Sequence, residues 1–311
     1  MISSMKKSRK RIWSGIIISF FSFIIISLIL TKVIYDGTFR RYDRIAAVPV
    51  GLETMVEGRQ TPYFKSGENR LCGYLYKGNS KGLVVMAPGY RAGADDYLWQ
   101  IKELVDLGYG VFAFDATGSC RSQGQDSVGF SQTVYDLEAA LSFVEENGRF
   151  GYEDIYLLGH SRGAYAVCSV LDKGYDITAA VSVSGVNSCM EAVIQPAYDK
   201  VGFLAYGNYP FLWLYQASIF GGDTVNTRAS EEIEQSNIPV MVVQGTGDNK
   251  YTKEKYSVYS HCKDENADNT SLLLMCQEGQ DGHTSLLFDS DGTANDLLIE
   301  EIDRFFKGKK K

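Results

Sequence analysis

From residue 54 the chain turns to short strands, and from residue 83 onward short apolar runs alternate with longer stretches of helical period. Residues 83–87, 111–114, 155–158, 179–183, 239–243 and 272–276 are runs of four or five mostly apolar residues bounded by Gly, Pro, Asp or other turn residues. Runs of that length read as strands buried on both faces. Between them, residues 94–107 place Tyr97, Leu98, Ile101, Leu104 and Val105 on one helical face, and 133–146, 162–171 and 296–306 also read as helices. Residues 61–65 and 71–76, separated by a Ser66-Gly67-Glu68-Asn69 turn, predict an antiparallel hairpin in front of this series. The expected fold is α/β: a mostly parallel central sheet with helices on both faces.

Two stretches stand outside the alternation. Residues 12–34 are dense in Ile, Phe and Leu and carry no charge before Lys32. That is long enough to cross a bilayer as a helix. A cleaved signal sequence would have a shorter apolar core ending in a small-x-small site, and no such site ends this run. A buried soluble helix suits residues apolar on every face poorly. Lys6, Lys7, Arg9, Lys10 and Arg11 precede the span. The expected organisation is therefore a cytoplasmic basic tail (1–11), one transmembrane helix (12–34), a tether (35–53) and an extracytoplasmic domain (54–311). The second stretch, 187–237, is too long for an ordinary strand-to-strand connection. It holds Tyr198, Phe203, Tyr206, Tyr209, Phe211, Trp213, Tyr215 and Phe220. It reads as an inserted cap, whose aromatics mostly fill the cap's own core and otherwise face a substrate.

Composition narrows the class without naming a function. With 311 residues, 45% hydrophobic and 22% charged, the chain can bury a sizeable core. A net charge of −7, with basic clusters only at the two ends, gives no reason to expect nucleic acid as a partner. Cys72, Cys120, Cys168, Cys189, Cys262 and Cys276 are scattered, with no Cys-x-x-Cys pair and no Cys/His cluster, so no metal site is expected. Single buried thiols are the favoured reading, although an extracytoplasmic domain could form disulfides.

Candidate chemistry centres on Gly159-His160-Ser161-Arg162-Gly163, which follows the 155–158 run and precedes a helix. A strand that turns sharply into a helix through Gly-x-Ser-x-Gly lifts the serine hydroxyl clear of the sheet beside the next backbone N–H. The pattern is weak alone: Gly78-Asn79-Ser80-Lys81-Gly82 also matches it, but no helix follows and it reads as a connection. A serine needs a base, and the base an orienting acid. In a parallel sheet these meet at the C-terminal ends of the strands. Of the three histidines, His160 shares the tight turn with Ser161, and His261 precedes the sixth run and so falls at the wrong edge. His283, just past the sixth run, is the expected base. Asp248, in Gln244-Gly245-Thr246-Gly247-Asp248-Asn249 past the fifth run, is the expected acid, ahead of Asp223 and Asp281. Asp115 is expected to hold the loop that follows it. Backbone N–H groups of Arg162 and Tyr90 are the expected oxyanion donors.

With its Ser161…Asp248…His283 order, the chain resembles the α/β-hydrolase superfamily. Val85-Met86-Ala87-Pro88-Gly89-Tyr90, the 108–115 segment and Gly118-Ser119-Cys120-Arg121-Ser122 resemble its monoacylglycerol-lipase and serine-aminopeptidase-like branch. The resemblance runs from about 61 to 306. It departs where Pro88-Gly89 replaces the usual His-Gly, and where Thr117 and Cys120 replace an Arg and a Gly after Asp115. A serine nucleophile, not an aspartate, sets the chain apart from the epoxide-hydrolase and dehalogenase branches. The expectation is a membrane-anchored serine hydrolase of carboxylic esters, taking a small-molecule ester or acyl substrate and needing no metal or organic cofactor. A serine peptidase, an acyltransferase or thioesterase, and an inactive binding module remain the alternatives.

Overall fold

The computed structural model describes residues 2–248, 256–265 and 268–309. Its elements in order are α1 (Ile2–Thr38), α2 (Glu53–Gly58), β1 (Tyr63–Ser66), β2 (Asn69–Tyr76), β3 (Leu83–Ala87), α3 (Leu98–Asp106), β4 (Gly110–Phe114), α4 (Gln132–Glu146), β5 (Ile155–His160), α5 (Arg162–Ser169) and β6 (Ala179–Val183). There follow α6 (Cys189–Val201), α7 (Leu204–Gly207), α8 (Tyr209–Phe220), α9 (Gly222–Asn226), α10 (Ala229–Gln235), β7 (Val240–Gly245), α11 (Val258–Glu265), β8 (Thr270–Met275) and α12 (Asp296–Lys307).

The strands form one sheet in the order β1-β2-β4-β3-β5-β6-β7-β8. The β1–β2 and β2–β4 pairs are antiparallel, and every later pair is parallel. The uninterrupted apolar runs follow from this layering. In β3, Leu83, Val85 and Ala87 belong to the core shared with α4 and α5, while Val84 and Met86 belong to the core shared with α3 and α12. Both sets of side chains leave water, so alternation is lost and the whole run is apolar. The six apolar runs, the hairpin and the four helices all form. Sequence pattern did not resolve α2 and α11, which are too short to establish a helical period.

The segment expected as a tether is not free. Helix α1 continues to Thr38, and Tyr35, Phe39 and Leu52 are each only 2% exposed. Arg41 donates to the carbonyls of Cys120, Ser122 and Gly124 at 2.8–2.9 Å. Tyr42 exchanges backbone hydrogen bonds with Gly118 and Cys120. A fixed guanidinium satisfying three loop carbonyls binds this stretch along the domain. The portion Arg11–Thr38 is long and apolar enough to cross a membrane.

The inserted segment 187–237 forms α6 to α10. Ser188 caps α6, accepting from the Glu191 N–H at 3.2 Å, and Pro210 enters the first turn of α8, where its missing N–H is not needed. The expectation that its aromatics fill the cap's own core fails. Only Phe220 of the eight is buried; Tyr198, Phe203, Tyr206 and Tyr209 are exposed. The physical reason is thickness. The insert is a single layer packed on α1 and α5, so one side of it has no second layer to cover it.

The six cysteines are free thiols, five of them buried and Cys276 exposed. No cluster of metal-ligating residues occurs among the described residues.

Candidate active site

The site begins with a steric constraint at the end of β5. Ser161 sits at φ 56°, ψ −113°, a backbone region that L residues rarely occupy. A Cβ at Gly159 would lie 2.2 Å from the Gly163 carbonyl oxygen, and one at Gly163 would lie 2.1 Å from that of Ala87. Both positions therefore exclude any side chain, and the turn holds Ser161 at the first step of α5. Its N–H is anchored to the Val183 carbonyl at 2.9 Å.

Two other loops converge on it. Ser161 Oγ lies 2.9 Å from His283 Nε2, and His283 Nδ1 lies 2.9 Å from Asp248 Oδ2. A carboxylate only accepts, so Nδ1 carries the proton and Nε2 faces the hydroxyl as an acceptor. That is the tautomer a general base requires. The Asp248 side chain is fully shielded and also accepts from Gln244 Nε2 at 3.0 Å. Asp281, a rival candidate for the acid, braces the turn instead. It accepts from Thr246 Oγ1 at 2.8 Å, and its carbonyl accepts from the Gly247 N–H at 3.0 Å. Asp223 lies in α9 within the cap, and His261 lies in α11 ahead of β8. Asn249, quoted with the Asp248 turn, lies outside the described residues.

Asp115 grips the loop beyond β4. It accepts from the backbone N–H of Ala94 and Arg121 and from the Tyr74 hydroxyl. The decoy 78–82 joins β2 to β3, well away from this constellation in the fold.

The backbone N–H of Arg162 opens α5, where no earlier helical carbonyl can take it. Among the described residues neither it nor the Tyr90 N–H has a hydrogen-bond partner. Tyr90 belongs to the loop after β3, and its hydroxyl donates to the carbonyl of Thr38 while its ring packs on Phe39 at 5.7 Å.

Three participants were not legible in the sequence. His160 is buried, with Nε2 donating to the carbonyl of His283 at 2.8 Å. With that nitrogen protonated, the neutral ring leaves Nδ1 bare to accept from the Tyr97 hydroxyl at 3.0 Å. Tyr97 in turn accepts from the Gly89 N–H at 2.9 Å. Burial raises the Tyr97 hydroxyl far above its ordinary range, against the opposing bond from Gly89, which keeps it a donor. The third is the Arg162 side chain. It is 1% exposed, and its Nε and Nη1 find no partner among the described residues. Burial lowers its basicity, with Asp136 and nearby tyrosines pulling the other way. No spacing rule announces any of these contacts, because they join segments far apart in the chain.

A cavity of about 610 Å³ opens beside Ser161 and His283. Its walls include Tyr90, Tyr97, Leu287 and Phe288, and its charged lining is Arg44, Arg91 and Asp96. Among the described residues no side chain of the 187–237 insert lines it. The insert's aromatics, expected to face a substrate where they do not fill the cap's own core, do not wall this cavity: its lining comes from the loops after β3 and β8, from the end of β5 and from Arg44 in the stretch after α1.

Residues 78–215 match the family described as serine aminopeptidase, S33. That span holds Tyr90, Ser161 and Arg162 and stops short of Asp248 and His283. No curated protein matches the sequence. Among solved structures, an esterase of Pyrococcus furiosus is similar over 87% of this chain and 97% of its own, with a TM-score of 0.65 at 16% identity. Est1E from Butyrivibrio proteoclasticus with ferulic acid bound is similar over 80% of this chain and 98% of its own, with a TM-score of 0.59 at 16% identity. The thioesterase domain of the curacin biosynthetic pathway is similar over 79% of this chain and 99% of its own, with a TM-score of 0.54 at 13% identity. The chain has the α/β-hydrolase fold, and from residue 78 to residue 215 its sequence matches the serine aminopeptidase S33 family.

Proposed function

We propose that the protein is a membrane-anchored serine hydrolase that cleaves carboxylic esters. The observation that carries this reading is the unbroken Asp248–His283–Ser161 chain, with both links to His283 at 2.9 Å. Ser161 Oγ attacks the ester carbonyl carbon as His283 Nε2 takes its proton. Asp248 orients the ring and stabilises the imidazolium. The carbonyl oxygen, now an oxyanion, is held by the N–H groups of Arg162 and Tyr90. The tetrahedral species collapses, His283 returns the proton to the departing alcohol, and an acyl-Ser161 ester remains. Water, deprotonated by His283, then releases the acid and restores the serine. No step needs a metal or an organic cofactor.

The cavity's charges bear on the choice between ester and peptide. Asp96, the acidic residue lining it, is paired with Arg44 at 3.2 Å and accepts from the Gly93 N–H. Among the described residues no lining carboxylate is left for the ammonium group of a peptide N-terminus, and Arg91, the lining cation outside that pair, repels it. This favours an uncharged or anionic ester over an aminopeptidase substrate.

The anchor reading rests on α1, with its basic N-terminal side facing the cytoplasm and the hydrolase domain outside. Protease added to intact cells should digest that domain, and full protection would overturn the orientation. For the chemistry, full-length protein in lipid nanodiscs should react with a fluorophosphonate probe at Ser161 and hydrolyse acyl esters from a panel that includes aminoacyl amides. Ester hydrolysis surviving in Ser161→Ala would sink the mechanism. Amide cleavage without ester cleavage would sink the substrate assignment.

A further inference from the structure

Helix α8 has no polar face. Residues 201–222 contain no charged side chain at all, from the end of α6 through the start of α9. Val201, Phe203, Leu204 and Leu214 are 53%, 76%, 66% and 52% exposed. A contiguous apolar surface of this kind is a contact surface for something other than water.

What covers it is set by its register against α1. The Phe211 ring packs on Phe23 at 5.9 Å, and Asn208 donates to the Thr31 hydroxyl at 2.7 Å. Tyr35 donates to Gln216 at 3.2 Å, and Tyr215 bonds Asp36 at 2.5 Å. The face of α1 turned toward the cap is Ser27, Thr31 and Tyr35, all buried, and its other faces are apolar and exposed. Small and hydroxyl-bearing residues on one helix face allow close approach and hydrogen bonding where no water competes. The Lys32–Asp36 ion pair marks the polar end of the span. Phe23 lies nine residues before Lys32, about 13 Å deeper along a helix. A cap ring in contact with Phe23 therefore lies at the depth of lipid chains once 12–34 crosses the bilayer.

We propose that residues 201–214 of the cap are embedded in the leaflet next to the hydrolase domain, with phospholipid acyl chains as the occupant of the exposed apolar surface. The proposal rests on the anchor reading of α1. Tyr198 just before this segment and Tyr206 and Tyr209 within it are each about 40% exposed. Amphipathic rings of this kind settle at headgroup level. The membrane thus holds the domain at two places, the span and the cap, and fixes its orientation as well as its distance.

The test uses full-length protein in phosphatidylcholine vesicles carrying a phospholipid with a diazirine in its acyl chain, with adducts mapped by mass spectrometry after illumination. Adducts within both 12–34 and 201–214 are expected. Adducts confined to 12–34 would overturn the proposal and leave the anchor standing. Absence from both segments would overturn the anchor reading and this proposal together. In the double variant Phe203→Asp with Leu204→Asp, cap adducts should fall at least tenfold while labelling of 12–34 and fluorophosphonate labelling of Ser161 are retained. Unchanged cap adducts in that variant would also overturn the proposal.

Discussion

The His160 ring donates from Nε2 to the backbone carbonyl of His283 at 2.8 Å, so the residue before Ser161 holds the loop that carries His283. Through Tyr97 the same ring also reaches Gly89 in the loop after β3. His160 touches no reacting atom and is a positioning residue. Its loss should displace the His283 imidazole relative to Ser161, and misplacement by about 1 Å costs on the order of 100-fold. His160→Ala should lower kcat by roughly 10- to 100-fold with little change in KM. His160→Gln, which keeps a side-chain donor, should recover part of the loss. Steady-state ester kinetics on both variants check this, and equal activity in the two would remove the positioning role.

Tyr90 links the proposed oxyanion loop to the end of α1 through its hydroxyl and the Thr38 carbonyl. Tyr90→Phe keeps the backbone N–H and the ring but releases this tie. Loss of one hydrogen bond should cost about 1 kcal/mol of stability, a drop of a few degrees in unfolding temperature, and kcat should fall as the loop loses its tie to α1. A wild-type kcat in the purified variant would show that the tie does not reach the chemistry.

Gly159→Ala should be far more damaging than its size suggests, because the new methyl meets the Gly163 carbonyl oxygen at 2.2 Å. The turn can relieve this only by moving Ser161. Loss of at least about 2 kcal/mol in stability is expected, together with loss of probe labelling at Ser161. Gly58→Ala is the control, since nothing lies within 4 Å of a Cβ there. Denaturant unfolding and fluorophosphonate labelling of the pair separate the two effects.

Asp95 bridges two cations, the buried Arg59 and, at 2.9 Å, Arg121. Burial pushes its carboxyl pKa up, but hydrogen bonds and charge from Arg59 and Arg121 outweigh burial and hold it below the ordinary value. For a depressed acid, the native state binds fewer protons than the unfolded state near the ordinary carboxyl range. Its stabilisation is therefore complete above about pH 4 and is lost as pH falls through the lower folded value. Asp95→Asn should cost about 3 kcal/mol by leaving Arg59 buried without its counter-charge. It should also flatten the acid limb of a plot of unfolding midpoint against pH. An unchanged acid limb would assign that slope to other carboxylates.

Much of the framework was legible because it depends on local pattern. Strands β3 to β7 are covered on both faces, so their apolar runs are unbroken and easily read. Gly159 and Gly163 are required by contacts within a few residues of themselves or with the neighbouring strand end. Ser161, Asp248 and His283 could be chosen because a parallel sheet gathers loops at one edge, so sequence order translates into position. The network from Gly89 through Tyr97 and His160 to His283 was not legible. His160 was set aside because it shares the tight turn with Ser161, and only the convergence of Tyr97, just ahead of α3, and of the His283 loop after β8 on the end of β5 gives its ring two partners.

The chain by itself determined the α/β layering, the serine turn, the strand-end loops that carry Asp248 and His283, and a helix long and apolar enough to cross a membrane. These follow from periodicity and short-range sterics, which are written in consecutive residues. The tertiary structure decided where the insert goes. Its aromatics suggested a surface facing the substrate, yet α8 lies along α1 while the loops after β3 and β8, with Arg44, wall the cavity. The physical reason is that an apolar surface states only that it must be covered. Its partner is selected by complementary shape and hydrogen bonds across distant segments, here Asn208 with Thr31 and Tyr35 with Gln216.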